Sequence, residues 1–337
     1  MVEVSSPRDW AAATPEGRGL RIAGSAAGAF LGLVLLVAAG AKLLDPQAFA
    51  EQIQAQGLDF GLPAMVVARL ALALEVALGL LLVMGVRRLW VLVPAALLVG
   101  FFLFVTGRDY WRAARGIEPP AAACGCFGNL VERTPAQAFW QDLLLLVPAL
   151  ALAFVGRDGG GGARAARRLP WARVAAAALG TGLAVVFAVR APALPLDDLA
   201  TRLKPGVAAA QLCAGRETDR VCLATLLPEA MEGAHLVVLA DLADPATGEA
   251  VARLNQYALA GRGPRPWMLA AATPEQHHAF FWRFGPAFEV REAPPGLLRP
   301  LYRRLPRAFL LEDGRVTRTW SGWPPLDDSP RSTMEPT

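Results

Sequence analysis

Two of the four cysteines of this sequence stand in the stretch CGCFG, where Cys124 and Cys126 are separated by one glycine. Thiols at this spacing can close only a very small disulfide ring, which is strained and therefore easily reduced. Gly125 permits the backbone geometry that such a ring needs. We therefore predict a catalytic redox pair, and keep as the alternative two free or separately bridged cysteines in a glycine-rich turn.

A metal site is a third interpretation of the same pair. The sequence before residue 190 contains no histidine, and two thiolates do not complete a tetrahedral zinc site. We therefore expect no metal. A transporter or copper-handling protein stays as a weaker alternative, motivated by the cysteine pair and by Glu75, which falls inside an apolar stretch.

The composition of the 337-residue chain is typical of a membrane protein. Hydrophobic residues make up 54% of the sequence, and the mean hydropathy is +0.37. The net charge is +4, but the arginines cluster beside apolar segments instead of forming one basic run. This pattern favours contact with a lipid bilayer and no contact with nucleic acid.

Five apolar stretches are long enough, or nearly so, to cross a bilayer as helices, which takes roughly 20 residues. They lie at 22–41, 64–86, 89–106, 138–155 and 174–189. The first is too long for the apolar region of a cleaved signal peptide, and further spans follow it.

The distribution of basic residues predicts which loops face the cytoplasm. One set of segments carries Arg8, Arg18, Arg21, Arg87, Arg88, Arg157, Arg164, Arg167, Arg168 and Arg173. The opposite set carries Lys42, Arg108, Arg112, Arg115 and Arg133. The excess in the first set favours a cytoplasmic N-terminus in an inner (cytoplasmic) membrane. All four cysteines would then lie on the periplasmic, oxidising side, where disulfides persist.

Charged residues within the apolar stretches are costly in a membrane and are usually functional. Lys42 ends the first span, and Glu75 lies roughly 16 Å below the start of the second at 1.5 Å per residue. Arg69 and Asp142 have similar depths, which predicts an ion pair between them. We expect a cluster of Lys42, Arg69 and Asp142 near the two cysteines. The alternative is that Lys42 snorkels and the other two only hold helices together.

The membrane half resembles the MauE group of the DoxX-like membrane proteins over about residues 22–156. The resemblance is carried, in order, by GAKLLDPQAF, RLALALEVALGLLL, CGCFG and FWQDLLLLVPAL. It implies a four-helix bundle, linked to methylamine utilisation, that helps to mature the disulfide-rich small subunit of methylamine dehydrogenase in the periplasm. It also implies that Cys124 and Cys126 are the redox pair.

The C-terminal half has a βαβαββ pattern, with strands at HLVVLADL and PWMLAAA and a final hairpin at 305–322. This order resembles the thioredoxin fold, especially that of membrane-tethered TlpA-like proteins. Pro306 matches the position of the cis-proline of that fold. The stretch ADLADPATGEA, however, stands where a thioredoxin has its CxxC motif, and it contains no cysteine.

The other two cysteines lie upstream of this region. Cys213 and Cys222 flank a polar, turn-like segment, and a hairpin would bring them within disulfide reach. They form either a structural disulfide or a second redox pair. His235, His277 and His278 are expected to be structural or surface residues.

We therefore predict an all-α transmembrane bundle of four helices plus a fifth tether helix, followed by an α/β thioredoxin-like domain. The expected boundaries are 1–21 (cytoplasmic), 22–156 (membrane domain), 157–173 (Arg/Gly-rich linker), 174–189 (fifth helix), 195–325 (outer domain) and 326–337 (polar tail). The predicted function is that of a thiol–disulfide redox component, with a periplasmic client or thioredoxin-like partner. No cofactor is assigned from the residues themselves, and analogy with other four-helix disulfide systems makes a quinone one candidate. The alternative is a non-catalytic assembly factor with structural cysteines.

Overall fold

The computed structural model describes residues 15–117, 133–157, 171–215, 220–261 and 263–326. The chain divides into two compact units, Met1–Leu194 and Pro195–Thr337. The predicted redox residues Cys124 and Cys126 lie outside the described residues.

The described part of the first unit consists of α-helices joined by short connections. Its helices are α1 (Pro15–Leu44), α2 (Pro46–Ala55), α3 (Ala64–Val83), α4 (Leu89–Ala114), α5 (Pro135–Val155) and α6 (Trp171–Arg190). All of them except α2 are long and apolar enough to cross a membrane, which confirms the five predicted spans. The protein is therefore a multi-pass membrane protein.

The membrane helices pack around a shared apolar core. Helix α1 packs against both α3 and α5, α4 packs against α5, and α6 packs against α3. The helices α1 and α3 approach closely at two glycines, since a Cβ atom added to Gly32 would lie 2.7 Å from the carbonyl oxygen of Gly79. Small residues are what permit such close helix contacts in a membrane.

Helix α2 was not predicted from the sequence. Its start is fixed by Asp45, whose carboxylate accepts a hydrogen bond from the backbone amide of Ala48 at 3.0 Å, and by Pro46 at the first helical position. Ala50 and Ile53 are buried in a small cluster with Ala68 of α3. This amphipathic helix therefore covers the side of α3 next to the end of α1.

The second unit is built on a five-stranded sheet. Its strands are β3 (Ala234–Leu239), β4 (Arg265–Ala270), β5 (Glu289–Glu292), β6 (Arg307–Glu312) and β7 (Arg315–Ser321), in the order β5-β4-β3-β6-β7. The β3, β4 and β5 strands run parallel, whereas β6 and β7 are antiparallel to their neighbours. A smaller hairpin pairs β1 (Cys213–Ala214) with β2 (Val221–Cys222).

Both faces of the five-stranded sheet are covered, as the alternation of side chains along the strands requires. One face packs on α9 (Pro245–Ala260) and α10 (Pro274–Phe284) through Val251, Leu254 and Phe280. The other face is covered by the segment around the small hairpin, in which Leu212 and Leu223 are fully buried. The short helices of this unit are α7 (Asp197–Ala200), α8 (Leu223–Leu226) and α11 (Pro295–Leu298).

The strand order confirms the predicted thioredoxin-like fold. A parallel β3-α9-β4 unit, continued by an antiparallel hairpin on the other side of β3, is the core of that fold. The predicted pattern lacked the edge strand β5, which is only four residues long and half-exposed. The peptide bond between Leu305 and Pro306, just before β6, is cis.

Candidate functional site

The membrane unit contains a buried ion pair that joins two helices. The ammonium group of Lys42, at the end of α1, donates a hydrogen bond to Oε1 of Glu75 in the middle of α3. The two side chains are 4% and 1% exposed, respectively. Burial of both charges is tolerated in such a place because each neutralises the other.

The surroundings of Lys42 are aromatic. Its Nζ atom lies 4.8 Å from the ring centroid of Phe49 on α2 and 4.9 Å from that of Phe102 on α4. Both distances allow a cation–π interaction, which offsets part of the cost of burying the ammonium group. Lys42 therefore does not snorkel to the surface, as the alternative interpretation held, but points into the bundle.

The two carboxylate oxygens of Glu75 differ in their hydrogen bonding. Its Oε1 atom accepts the hydrogen bond from Lys42, but its Oε2 atom has no hydrogen-bond partner among the described residues. A buried carboxylate oxygen without a donor is costly, and it marks a place where a bound molecule can supply one.

Arg69 and Asp142 do not form the predicted ion pair in the described residues. Asp142 of α5 instead lies 3.6 Å from the guanidinium of Arg133, which precedes the same helix. The prediction compared depths alone. It was wrong because α1 packs between α3, which carries Arg69, and α5. Among the described residues, Lys42 pairs with Glu75 and Asp142 lies near Arg133, which differs from the predicted Arg69–Asp142 contact.

A second polar pair, which the sequence analysis missed, lies near the end of α4. The side-chain amide of Gln56 donates a hydrogen bond to Oδ2 of Asp109 at 3.3 Å, and both residues are buried. Asp109 lies beyond Thr106, where the sequence analysis ended the third span, so it was not counted among the intramembrane charges. Helix α4 in fact continues to Ala114, and a predicted span of that length would have included Asp109.

Both polar pairs line one cavity of about 400 Å³ between α2, α3 and α4. Most of its wall is apolar. Its polar lining residues are Lys42, Gln52, Gln56, Glu75, Thr106 and Asp109. Several of its other lining residues are exposed at the outside of the bundle, including Leu74 (43%), Leu97 (71%) and Phe101 (40%). In a membrane these residues face lipid, so the cavity opens sideways to the bilayer.

The second unit contains the predicted disulfide between Cys213 and Cys222, which pair across the β1–β2 hairpin. Cys213 is 3% exposed, and its neighbour Leu212 belongs to the core on one face of the sheet. The disulfide thus closes the segment that covers this face. This setting agrees with a structural disulfide, although Cys222 is only half-buried.

The region after β3, where a thioredoxin has its cysteines, has a different chemistry here. Asp244 caps α9 by accepting a hydrogen bond from the amide of Ala246 at 3.0 Å, and Asp241 similarly accepts one from Ala243 at 2.9 Å. These carboxylates order the turn, but they cannot perform thiol–disulfide exchange.

Next to the cis peptide bond, Arg307 is almost completely buried on β6. Its guanidinium lies 3.1 Å from Asp197 and donates a hydrogen bond to Asp198 at 2.8 Å. Burial lowers the pKa of Arg307, whereas the two aspartates act in the opposite direction. This contact attaches α7 to the sheet, so the role of Arg307 is structural.

Among the described residues, no group of three or more His, Cys, Asp or Glu side chains is placed to hold a metal ion. His235 accepts a hydrogen bond from the indole of the buried Trp267 at 3.0 Å. His278 accepts one from Trp282 at 2.8 Å on the surface. Each of these histidines therefore has a local partner.

These features define a class of protein, a multi-pass membrane protein whose second unit has a thioredoxin-like fold. Comparison with known families adds that residues 20–155 match the model of the family described as Methylamine utilisation protein MauE. The match covers the membrane half of the chain and confirms its resemblance to MauE.

Comparison with individual proteins adds less. No curated protein matches the chain. Among solved structures, the chain is similar to a crystal structure from Chlorobium tepidum assigned as a thiol:disulfide interchange protein DsbE. The two are 17% identical, with 36% of this chain and 89% of that chain covered, and the TM-score is 0.29. The fold assignment therefore rests on the strand order described above.

Proposed function

We propose that this protein is a membrane-embedded thiol–disulfide redox component that assists disulfide formation in extracytoplasmic proteins. Cys124 and Cys126 are its redox pair. The observation that carries this proposal is that the CGCFG stretch falls inside the segment that matches the MauE family model. The finer role of maturing methylamine dehydrogenase, which that resemblance implies, belongs to the same proposal.

The two helices that flank the cysteines in the sequence, α4 and α5, meet at one end of the bundle. The rings of Tyr110, near the end of α4, and Phe139, near the start of α5, stack with their centroids 5.7 Å apart. The chain therefore leaves and re-enters the bundle at one end. Because each crossing reverses direction, we expect α6 to end on this side of the membrane as well. The arginine bias supports this side as the periplasmic one.

The exchange itself needs only thiols and a disulfide. A thiolate of the client attacks one sulfur of the Cys124–Cys126 disulfide, which forms a mixed disulfide and releases the other cysteine as a thiolate. A second client thiolate then attacks the client sulfur of the mixed disulfide. The client gains a disulfide, and the chain is left with two thiols. A further acceptor must remove these two electrons before the next cycle.

Thiol trapping in intact cells tests the proposal. A variant with Cys213→Ser and Cys222→Ser keeps only the CGCFG cysteines, so labelling by a membrane-impermeant, mass-shifting maleimide reports on them alone. We expect no label before reduction and two labels after a mild reductant. In the same background, Cys124→Ser and Cys126→Ser should each give one label without reduction.

Two outcomes would overturn the redox function. One is a pair that the impermeant reagent does not reach even in the reduced state. The other is a redox state that mild reductant leaves unchanged. A client-side measurement completes the test: cells with Cys124→Ser should form disulfides in a secreted reporter more slowly than cells with the wild-type protein.

A second candidate function is favoured by a specific observation in the second unit. The turn after β3 has aspartates where thioredoxins have thiols, and the disulfide of this unit closes its core-covering segment. This unit would then bind a client without exchanging electrons with it. The protein would be an assembly factor, and Cys124→Ser would leave its activity intact.

A further inference from the structure

The cavity between α2, α3 and α4 has no role in the exchange described above, and its chemistry is specific. It combines a lateral opening, an aromatic wall and a buried carboxylate oxygen without a donor. We propose that it binds the head group of a lipid-soluble quinone, beside the Lys42–Glu75 pair.

The position of the opening indicates that the ligand is soluble in lipid. Leu74 and Leu97 line the cavity and are 43% and 71% exposed on the surface of the bundle that lipid would cover. A molecule that enters here comes from the hydrocarbon part of the bilayer. This requires a ligand with an apolar body, and water-soluble metabolites do not meet that requirement.

Two of the polar residues that line the cavity, Lys42 and Glu75, indicate the kind of head group. The ammonium of Lys42 is a hydrogen-bond donor, and the free Oε2 of Glu75 is an acceptor. A quinone carbonyl accepts from the ammonium, and a quinol hydroxyl donates to the carboxylate. A phospholipid phosphate carries a negative charge that the Glu75 carboxylate would repel, whereas the head groups of a quinone and a quinol are uncharged.

The shape and size of the cavity agree with this choice. The rings of Phe49 and Phe102 both lie within 5 Å of Nζ of Lys42, and both line the cavity. They provide apolar faces against which a flat ring can pack. The volume of about 400 Å³ lies in the range of small-molecule sites, about 300–1,000 Å³.

This proposal rests on the proposed function only for the source of electrons. Oxidation of one dithiol to a disulfide releases two electrons and two protons. Reduction of one quinone to a quinol takes up the same number of each, so the exchange balances without a further reactant. Binding of the quinone itself does not depend on the cysteines.

Photolabelling of the purified full-length protein in detergent tests the site, with an azido-substituted short-chain ubiquinone as the probe. We expect labelled peptides from α3 or α4, and displacement of the label by decylubiquinone. Ala71→Trp places a large ring in the cavity and should reduce labelling at least tenfold. The matched control is Leu70→Trp, the next residue, which is 62% exposed and does not line the cavity.

Leu97→Trp, at the exposed mouth, gives a second test if Ala71→Trp does not fold. Its control is Val93→Trp, one turn earlier on the same helix, which is 46% exposed and is not a lining residue. Equal labelling of variant and control in the folded pair, label outside both α2–α4 and the end of α1 that carries Lys42, or equally effective displacement by phosphatidylglycerol would each overturn the site.

The Cys124→Ser variant separates this proposal from the previous one. It should bind the probe as well as the wild type does. If it does, and the cysteines nevertheless fail the trapping test, the quinone site stands while the redox function falls. If the cysteines pass and labelling fails, the electron acceptor lies elsewhere.

Discussion

At the scale of single residues, the membrane unit depends on charges that satisfy one another. Lys42 and Glu75 are both buried, and neither could remain charged in hydrocarbon without the other. Both residues were identified from the sequence as functional candidates. Their pairing was not, because a sequence gives the depth of a residue but not the neighbour that its helix faces.

Removing one member of this pair should destabilise the membrane unit. Lys42→Met leaves the Glu75 carboxylate buried without compensation, which typically costs about 3–5 kcal/mol. We expect that loss in the free energy of unfolding, measured by titration with sodium dodecyl sulfate. The double variant with Lys42→Met and Glu75→Met should recover most of it, since apolar residues replace both charges. A double variant as unstable as the single one would contradict the pairing.

At the scale of elements, the close contact between α1 and α3 depends on residue size. A Cβ atom on Gly32 would lie 2.7 Å from the carbonyl oxygen of Gly79 and 2.9 Å from Cβ of Leu82. The same addition at Gly40, two turns later on α1, meets nothing within 4 Å. The two glycines therefore differ in function although the sequence shows both inside the same apolar helix.

This difference gives a matched pair of variants. Gly32→Ala should cost about 1–3 kcal/mol, because the two helices must move apart. Gly40→Ala should be neutral or slightly stabilising, because alanine favours a helix over glycine by up to about 1 kcal/mol. Thermal unfolding of the two purified variants in the same detergent measures the difference. Equal melting temperatures would show that the helices do not touch at Gly32.

The elements show what the sequence could and could not provide. The five spans followed from apolar length, and most of the order of strands and helices in the second unit followed from its βαβαββ pattern. Helix α2 was missed because only Pro46, Ala50 and Ile53 are buried in its ten residues, too short a pattern to stand out. Strand β5 was missed because its charged residues pair through the backbone at an edge. The cavity depends on contacts among three helices, which no local pattern encodes.

At the scale of the whole molecule, the two units have separate cores. The membrane core surrounds Leu31, Leu82 and Leu92, whereas the sheet of the second unit is covered on both faces by residues of its own. The sheet and its cover are complete within residues 195–326. All residues assigned to these two sheet clusters within the described part of the chain belong to the second unit.

Residues 195–326, produced without the membrane unit, should therefore form a soluble, folded domain with a cooperative thermal transition. Reduction of its disulfide, which spans a sequence separation of 9 residues, should lower the free energy of unfolding by about 2–3 kcal/mol. The reason is that the unfolded chain gains conformational entropy when this loop is no longer closed. Circular dichroism before and after reductant measures this, with the Cys213→Ala and Cys222→Ala double variant as the control that reductant should not affect. A fragment that aggregates or melts without cooperativity would show that the unit is not independent.

The sideways opening of the cavity changes how its occupancy has to be described. A ligand that arrives through Leu74 and Leu97 is dissolved in the bilayer, so its relevant concentration is its mole fraction among the lipids. Partitioning concentrates an apolar molecule in that thin layer, and modest intrinsic affinity is then enough to keep the cavity filled. Dilution of the protein in water would leave occupancy unchanged, whereas dilution with added lipid would empty it.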